Sequence, residues 1–203
     1  MAEGRSCQAP RRDAPLSEER VTGKLSARLA AIVDALPLDT GIRVLEIGCG
    51  PGAAARAVAD RIGDGYVLAI DRSAKAIERA VAGSAGEIAS GRLGFRRVAI
   101  EDYELDASET PFDLAFAVRV GALDGRHPHL EELALRRVAA ALNPGGRLFL
   151  DGGSPLKEVS LEAYRREPKG GRIRMSGSST SNVRSEQDLV TIIQRDVSPA
   201  TDT

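Results

Sequence analysis

Apolar residues along the middle of the chain follow two alternating patterns. In one pattern they form short uninterrupted runs, which are typical of strands buried on both faces of a parallel sheet. In the other they recur every three or four positions, which indicates helices with one buried face. The uninterrupted runs predict strands at residues 43–47, 66–70, 93–100, 112–118 and 147–150. The periodic segments predict helices at residues 17–36, 53–62, 73–82 and 130–142, with a weaker continuation at 83–94.

This alternation predicts an α/β fold with a doubly wound, mostly parallel sheet and helices on both of its faces. In such sheets a ligand binds outside the carboxyl ends of the strands, at the switch point beside the first strand. Beyond residue 152, residues 158–166 favour a helix, and residues 172–175 and 189–194 favour an antiparallel hairpin. The hairpin would bring the sheet to seven strands. The Ser- and Gly-rich loop at residues 176–185 is expected to be mobile.

Length and composition fit one domain of ordinary globular character. The 203 residues divide into a polar tail at 1–15, expected to be disordered, and a single domain at 16–203. Within it we expect an N-terminal helix acting as a lid (16–38), a ligand-binding core (40–152) and a C-terminal part (153–203). Two cysteines make a disulfide framework implausible, so we expect a cytoplasmic protein, with no secretory signal and no membrane span.

Charge and aromatic content bear on the partners of the protein. A net charge of −1 and 3% aromatic residues weigh against a nucleic-acid partner, which calls for basic and stacking side chains. The C-terminal part nevertheless holds a basic cluster, which is either a solvated face or an anion-binding patch. Its members are Arg165, Arg166, Lys169, Arg172 and Arg174.

The most informative segment is residues 44–52, Val-Leu-Glu-Ile-Gly-Cys-Gly-Pro-Gly. A strand that breaks into glycines and then a helix is expected to present free backbone N–H groups to a nucleotide-like ligand. Together with Ala53, the segment satisfies the dinucleotide fingerprint Gly-x-Gly-x-x-Ala. Two residues argue against a pyrophosphate: Pro51 stands where the helix should start, and the Glu46 carboxylate would repel phosphate but suit an ammonium group.

Four motifs in order resemble the class I (Rossmann-like) S-adenosylmethionine-dependent methyltransferase family. They are the glycine run at 44–52, Ala-Ile-Asp-Arg-Ser at 69–73, Phe-Asp-Leu-Ala-Phe at 112–116 and Leu-Asn-Pro-Gly-Gly-Arg-Leu at 142–148. The resemblance covers a little over half of the chain. It implies S-adenosylmethionine as the cofactor and methyl transfer as the activity. An NAD-dependent oxidoreductase is the competing enzyme class, although the chain after Leu150 is short for a substrate domain.

The resemblance assigns cofactor roles to particular residues. Asp71, at the end of the second strand, would accept the ribose hydroxyls, or it is simply a helix cap ahead of Ser73. Glu46 would hold the α-ammonium, directly or through water. Arg72 would pack on adenine or lie exposed in solvent. The remaining positions are the glycine run (Gly48, Cys49, Gly50, Gly52), the adenine end (Ile100, Glu101, Asp102, with the contacting carboxylate left open) and the fourth strand end (Ala117, Val118).

The segment after the fourth strand is expected to line the acceptor side. His127 is the candidate general base, and His129 either shares that role or caps the next helix. Arg119 either pairs with a carboxylate such as Glu101 or Asp124, or holds an acidic group of the acceptor. We expect no metal site at the histidine pair.

The sequence therefore favours transfer of a methyl group to an oxygen or nitrogen atom of a small-molecule acceptor. We expect the protein to be a monomer or homodimer. Two alternatives stay open. One is the same chemistry on RNA or protein. The other is a cofactor-binding module or a degenerate partner subunit without turnover.

Overall fold

A computed structural model describes residues 25–165. Its centre is a six-stranded sheet in the order β3-β2-β1-β4-β5-β6, in which all neighbours are parallel except β5 and β6. The strands are β1 (Arg43–Ile47), β2 (Tyr66–Asp71), β3 (Leu93–Arg97), β4 (Phe112–Ala117), β5 (Leu142–Asp151) and β6 (Leu156–Val159). The strand order reverses at β1, which lies between β2 and β4. The doubly wound α/β fold is thereby confirmed.

Six helices surround this sheet and produce two hydrophobic cores, one on each face. The helices are α1 (Ala27–Ala35), α2 (Ala53–Ala59), α3 (Ala74–Ala82), α4 (Ala85–Ala89), α5 (Pro128–Ala141) and α6 (Glu162–Arg165), with a 3₁₀ turn at Ile100–Asp102. Successive strand residues point to opposite faces. Leu45 and Ile47 accordingly pack towards α5, whereas Val44 packs towards α1 and α2. The glycine run follows β1, in which the residues from Val44 to Ile47 are all buried.

Several predicted elements differ at their ends from those observed, and three of the differences have a clear local cause. The helix expected at 17–36 starts within the described residues only at Ala27, because the Ser26 side chain accepts the N–H of Leu29 and caps it there. Helix α2 ends at Ala59 rather than at 62, before Gly63 turns the chain at φ +61°. Strand β3 ends at Arg97 instead of 100, since the backbone then coils into the 3₁₀ turn.

The C-terminal part differs more. The Asn-Pro-Gly-Gly turn lies inside β5 as an irregularity, where the pairing with β4 jumps from Phe112–Leu142 to Leu114–Arg147. Residues 158–159, predicted as helical, belong to the antiparallel strand β6, which the Arg147–Glu158 ion pair ties to β5. The helix prediction is therefore wrong before Glu162. The predicted hairpin, the seventh strand, the 176–185 loop and most of the basic cluster lie outside the described residues. Within residues 25–165, no helix has the length and apolar character needed to cross a bilayer.

Candidate active site

A cleft of about 730 Å³ opens at the carboxyl ends of β1 to β4, where the fold predicts a ligand. This volume includes the open mouth of the cleft. The end of β1 forms its floor, the ends of β2 and β3 one side, and the segment after β4 the other. The lining residues are Ile47, Gly48, Ile70, Asp71, Arg72, Val98, Ala99, Ile100, Glu101, Arg119, Val120, Gly121, Ala122, Arg126, His127 and Leu130.

The N–H groups of the glycine run are already used within the protein. Those of Gly48 and Cys49 both donate to the carbonyl of Ile70, at 2.8 and 3.0 Å, and that of Gly52 donates to the carbonyl of Cys49. The N–H of Gly50 donates to Oδ2 of Asp71 at 2.9 Å. The expectation of free loop N–H groups is therefore wrong for these four positions. The loop is bonded to β2 and does not present the donors that a pyrophosphate requires.

Asp71 connects the glycine run to α3. While Oδ2 accepts from Gly50, Oδ1 accepts the N–H of Ser73 at 2.8 Å. Ser73 in turn caps α3 through the N–H of Ala76. The capping role is thus observed, but each carboxylate oxygen accepts one hydrogen bond and retains a further lone pair. Asp71 lines the cleft and remains able to accept two hydroxyl groups.

Glu46 lies behind the glycine run and not in the cleft wall. Only 4% of this residue is exposed, and its Oε2 has no hydrogen-bond partner among the residues that the structure describes. Burial raises the pKa of the Glu46 carboxyl from 4.5 to about 8, while the N–H of Ala55 and the Arg56 guanidinium oppose that shift. The carboxyl group therefore faces the start of α2, where a bound pyrophosphate would otherwise lie. At neutral pH most of it is protonated.

Cys49 has a structural environment in the glycine run. Its thiol is buried and donates to the carbonyl of Gly50 at 3.7 Å. Burial, with Glu46 and Asp71 nearby, raises the pKa of the Cys49 thiol far above its ordinary value. A thiol held neutral in this way is not a nucleophile.

The turn after β3 brings one of the two candidate adenine carboxylates to the cleft. Ile100 and Glu101 line it, whereas Asp102 is exposed and does not. Arg137 of α5 fixes this turn, because its Nε donates to the carbonyl of Glu101 at 3.3 Å and its Nη1 to Glu104 at 2.7 Å. Arg72 lies in the lining and is exposed, as one of its two sequence interpretations predicted.

The two residues predicted at the end of β4 lie behind the cleft wall. Ala117 is 2% exposed and belongs to the core beneath α5, and Val118 packs on the opposite core. Neither lines the cleft. The wall is formed instead by the next residues, among which Val120 lies directly over the glycine run. A Cβ placed on Gly48 would lie 2.6 Å from Cγ2 of Val120.

Arg119 is exposed and has a left-handed backbone with φ +58°, which no other described non-glycine residue adopts. Such a conformation costs a residue with a Cβ on the order of 1 kcal/mol. Its N–H donates to Oδ1 of Asp151 at 3.0 Å, and its carbonyl accepts from Arg126. The predicted pair with Glu101 or Asp124 does not form in the described part of the chain. Asp124 pairs instead with Arg126, at 2.7 Å.

His127 lies in the cleft wall immediately before α5, which begins with Pro128. Its ring packs on Gly121, where an added Cβ would be 2.6 Å from Cδ2, and the backbone N–H of His127 donates to the Gly121 carbonyl at 2.9 Å. His129 is exposed in the first turn of α5 and is absent from the cleft lining. The suggestion that His129 caps this helix is therefore wrong, since it stands inside the helix.

Sequence reasoning did not identify several cleft residues. Val98 and Leu130 are ordinary apolar residues without a chemical signal, whereas Gly121 and Ala122 belong to the segment that was expected to line the acceptor side. Asp151 was also missed, although a carboxylate at the end of a central strand is a visible signal. Its side chain, 10% exposed, bonds both Arg119 and Arg28 of α1, the latter at 2.8 Å.

Comparison with known proteins gives consistent matches. Residues 44–146 match the family model described as "Methyltransferase domain". The 27-O-demethylrifamycin SV methyltransferase of Amycolatopsis mediterranei is 37% identical over 135 residues, 65% of this chain and 45% of that protein. The nocamycin O-methyltransferase of Saccharothrix syringae is 35% identical over 145 residues, 70% of this chain and 48% of that protein.

A solved structure also matches. Phosphoethanolamine N-methyltransferase 2 of Haemonchus contortus, in complex with S-adenosyl-L-methionine, has a TM-score of 0.50 and 26% identity. The match covers 61% of this chain and 27% of that one. The chain spans about half the length of the curated relatives it matches.

Proposed function

We propose that this chain, which belongs to the methyltransferase domain family, transfers a methyl group from S-adenosylmethionine to an oxygen or nitrogen of a small molecule. One observation carries the proposal. The N–H groups of the glycine run donate to β2, to Asp71 and within the run itself, and the Asp71 and Glu101 carboxylates line the cleft. That arrangement repels the pyrophosphate of a dinucleotide and suits a ligand with hydroxyls and an ammonium.

The residues present fit this cofactor. Glu46 Oε2 is a buried polar atom without a partner, and such an atom is costly unless a donor meets it. Asp71 retains a lone pair on each oxygen towards the cleft. A Cβ on Gly50 would meet nothing within 4 Å, so the backbone there is open to a close approach.

Each of these residues has a defined task in the proposal. Asp71 binds the two ribose hydroxyls, Glu101 accepts from the adenine amino group, and Arg72 packs beside the base. Glu46 receives the ammonium directly or through water, which would lower its raised pKa again, because a nearby positive charge favours the carboxylate.

The bound cofactor supplies an activated methyl group on a sulfonium. The chain's main contribution is to align the acceptor, and alignment of this kind can remove roughly 7–11 kcal/mol of a barrier. The segment from Arg119 to His127 forms the wall on that side. We propose His127 as the base for an acceptor hydroxyl, because its ring faces the cleft and a neutral imidazole accepts a proton near pH 7.

The relatives support a small-molecule acceptor. Two of them carry names that specify methylation of rifamycin- and nocamycin-type molecules, and the solved structure is a phosphoethanolamine N-methyltransferase. On this basis oxygen is the first candidate acceptor atom and nitrogen the second. A cytoplasmic location and a monomeric or homodimeric state remain part of the proposal.

Methyl transfer into a cell extract tests this function. The full chain is incubated with S-adenosylmethionine labelled on the methyl group and with extract treated beforehand with nuclease and protease. We expect label in the small-molecule fraction. Label that appears only when RNA or protein is left intact would refute the acceptor class, and no transfer to any fraction would favour a binding module.

A further inference from the structure

We propose that Arg119 selects the acceptor by binding a carboxylate group that the acceptor carries, and that Asp151 positions Arg119 for this task. The acceptor would then be a small organic acid. This inference rests on the proposed function, since a methyl acceptor exists only if the chain transfers methyl groups.

The first argument concerns which groups pair with the Arg119 guanidinium. Arg119 lines the cleft, yet among residues 25–165 no carboxylate pairs with it. The acidic groups that could do so are engaged elsewhere: Asp124 pairs with Arg126, and Asp151 bonds Arg28 and the Arg119 N–H. A guanidinium offers five donors in a planar fork, and these donors face a ligand cleft.

The second argument is the backbone that carries this side chain. The left-handed φ of +58° is unfavourable for a residue with a Cβ, so the surrounding structure must impose it. Asp151 accepts the N–H of Arg119, while Arg126 donates to its carbonyl. Both peptide groups that flank the Cα are therefore held, and the direction of the Cα–Cβ bond is fixed by the fold.

The third argument is the distribution of charge across the cleft. At the ends of β2 and β3 the wall carries the Asp71 and Glu101 carboxylates together with the Arg72 guanidinium. On the β4 side, Arg126 is offset by Asp124 and Arg28 by Asp151, whereas Arg119 has no carboxylate partner within residues 25–165. One guanidinium matches one carboxylate in charge and in bidentate geometry, whereas a phosphate monoester carries more charge.

Binding of a matched pair of probes tests the assignment. Benzoate and benzamide have the same shape and differ in charge, and each is titrated into the ¹⁵N-labelled full chain while the Nε–H signal of Arg119 is followed by NMR. We expect benzoate to shift this signal and the amide signal of Gly121. Benzamide should bind more weakly by about tenfold at least. Arg119→Gln should abolish the preference. Arg136→Gln, a change in an exposed arginine of α5 that pairs with Glu132, should leave it intact.

The role of Asp151 requires a second comparison. Asp151→Ala should weaken benzoate binding several-fold, although Asp151 itself does not line the cleft. Asp151→Asn should restore the affinity, because the amide oxygen still accepts the Arg119 N–H. Equal benzoate affinity in the alanine variant would overturn the positioning role.

Several results would contradict the carboxylate site. They are equal binding of benzoate and benzamide, tighter binding of phenyl phosphate, an unchanged preference in Arg119→Gln, and no shift with benzoate at tens of millimolar. Calorimetry with S-adenosylhomocysteine is run in parallel. We expect the same affinity in wild type and Arg119→Gln, whereas a loss in the variant would assign Arg119 to the cofactor's own carboxylate. No binding to the wild type would refute the proposed function, while the benzoate experiment without cofactor would still report on Arg119.

Discussion

The contact between Val120 and the glycine run yields a quantitative prediction. Gly48 and Gly50 both have left-handed backbones, with φ of +74° and +54°. A Cβ on Gly48 would lie 2.6 Å from Cγ2 of Val120, whereas a Cβ on Gly50 would meet nothing within 4 Å. Alanine at either position therefore incurs the same kind of backbone strain, but only alanine at 48 also collides with the segment after β4.

The magnitudes follow from these two costs. Left-handed strain makes Gly50→Ala less stable by about 1 kcal/mol. Gly48→Ala bears that cost and an overlap of about 1–3 kcal/mol, for a total of roughly 2–4 kcal/mol. Val120→Ala removes the colliding methyl and leaves Cβ of residue 120 at 3.9 Å, an ordinary contact. Because Val120 is half-buried, Val120→Ala should by itself lower the free energy of unfolding by about 1 kcal/mol.

Urea unfolding of wild type, the three single variants and the Gly48→Ala/Val120→Ala double variant measures these terms. The overlap should disappear in the double variant, so the cycle should give a favourable coupling of about 1–3 kcal/mol. Equal destabilisation by Gly48→Ala and Gly50→Ala, together with additive behaviour in the double variant, would show that Val120 does not pack on the glycine run.

Two further predictions concern the cleft and its floor. Gly121→Ala should turn the His127 ring away, since the added Cβ would lie 2.6 Å from Cδ2 of that ring. The rate of methyl transfer should then fall about as far as in His127→Ala, by roughly 10²-fold. A normal rate would contradict His127 as the base. Because the Glu46 pKa is raised from 4.5 to about 8, the folded state holds the proton more tightly, and stability should decrease as pH rises between these values. The free energy of unfolding should fall with a limiting slope of about 1.4 kcal/mol per pH unit. Urea unfolding at several pH values should show a smaller slope in Glu46→Gln. The same slope in both proteins would exclude Glu46 as its source.

The sequence was sufficient for the sheet and for the place of the site. Buried parallel strands are nearly continuous apolar runs, so β1, β2 and β4 were recognisable within a residue or two at each end. The glycine run and Asp71 then located the cleft, because the carboxyl ends of neighbouring parallel strands converge at the switch point.

The errors have identifiable physical causes. The periodic pattern continues across residue 26, but the Ser26 side chain captures a backbone N–H and starts the helix there. The middle of strand β6 is exposed and charged. Its conformation is therefore determined by its pairing with β5 and not by the local periodicity of the sequence. The loop N–H groups were expected to be free, and their partners on β2 become visible only when β1 and β2 are aligned.

The contacts of Arg119 could not be derived from the sequence, because they too depend on which residues the fold brings together. Arg126 and Asp124 are two residues apart and pair locally, while Asp151 is brought in from the end of β5. A sequence reader sees several acidic residues near Arg119 along the chain, without knowing which of them other arginines occupy. Only the folded arrangement distinguishes a paired guanidinium from one that faces the cleft.

Calorimetric titration of S-adenosylhomocysteine into the wild-type chain and Asp71→Ala tests the central claim most directly. The account predicts one site of micromolar affinity in the wild type, and an affinity lower by about tenfold or more in the variant, since two hydroxyl hydrogen bonds to a charged group are lost. Binding of NAD without binding of S-adenosylhomocysteine, or equal affinity in both proteins, would contradict it.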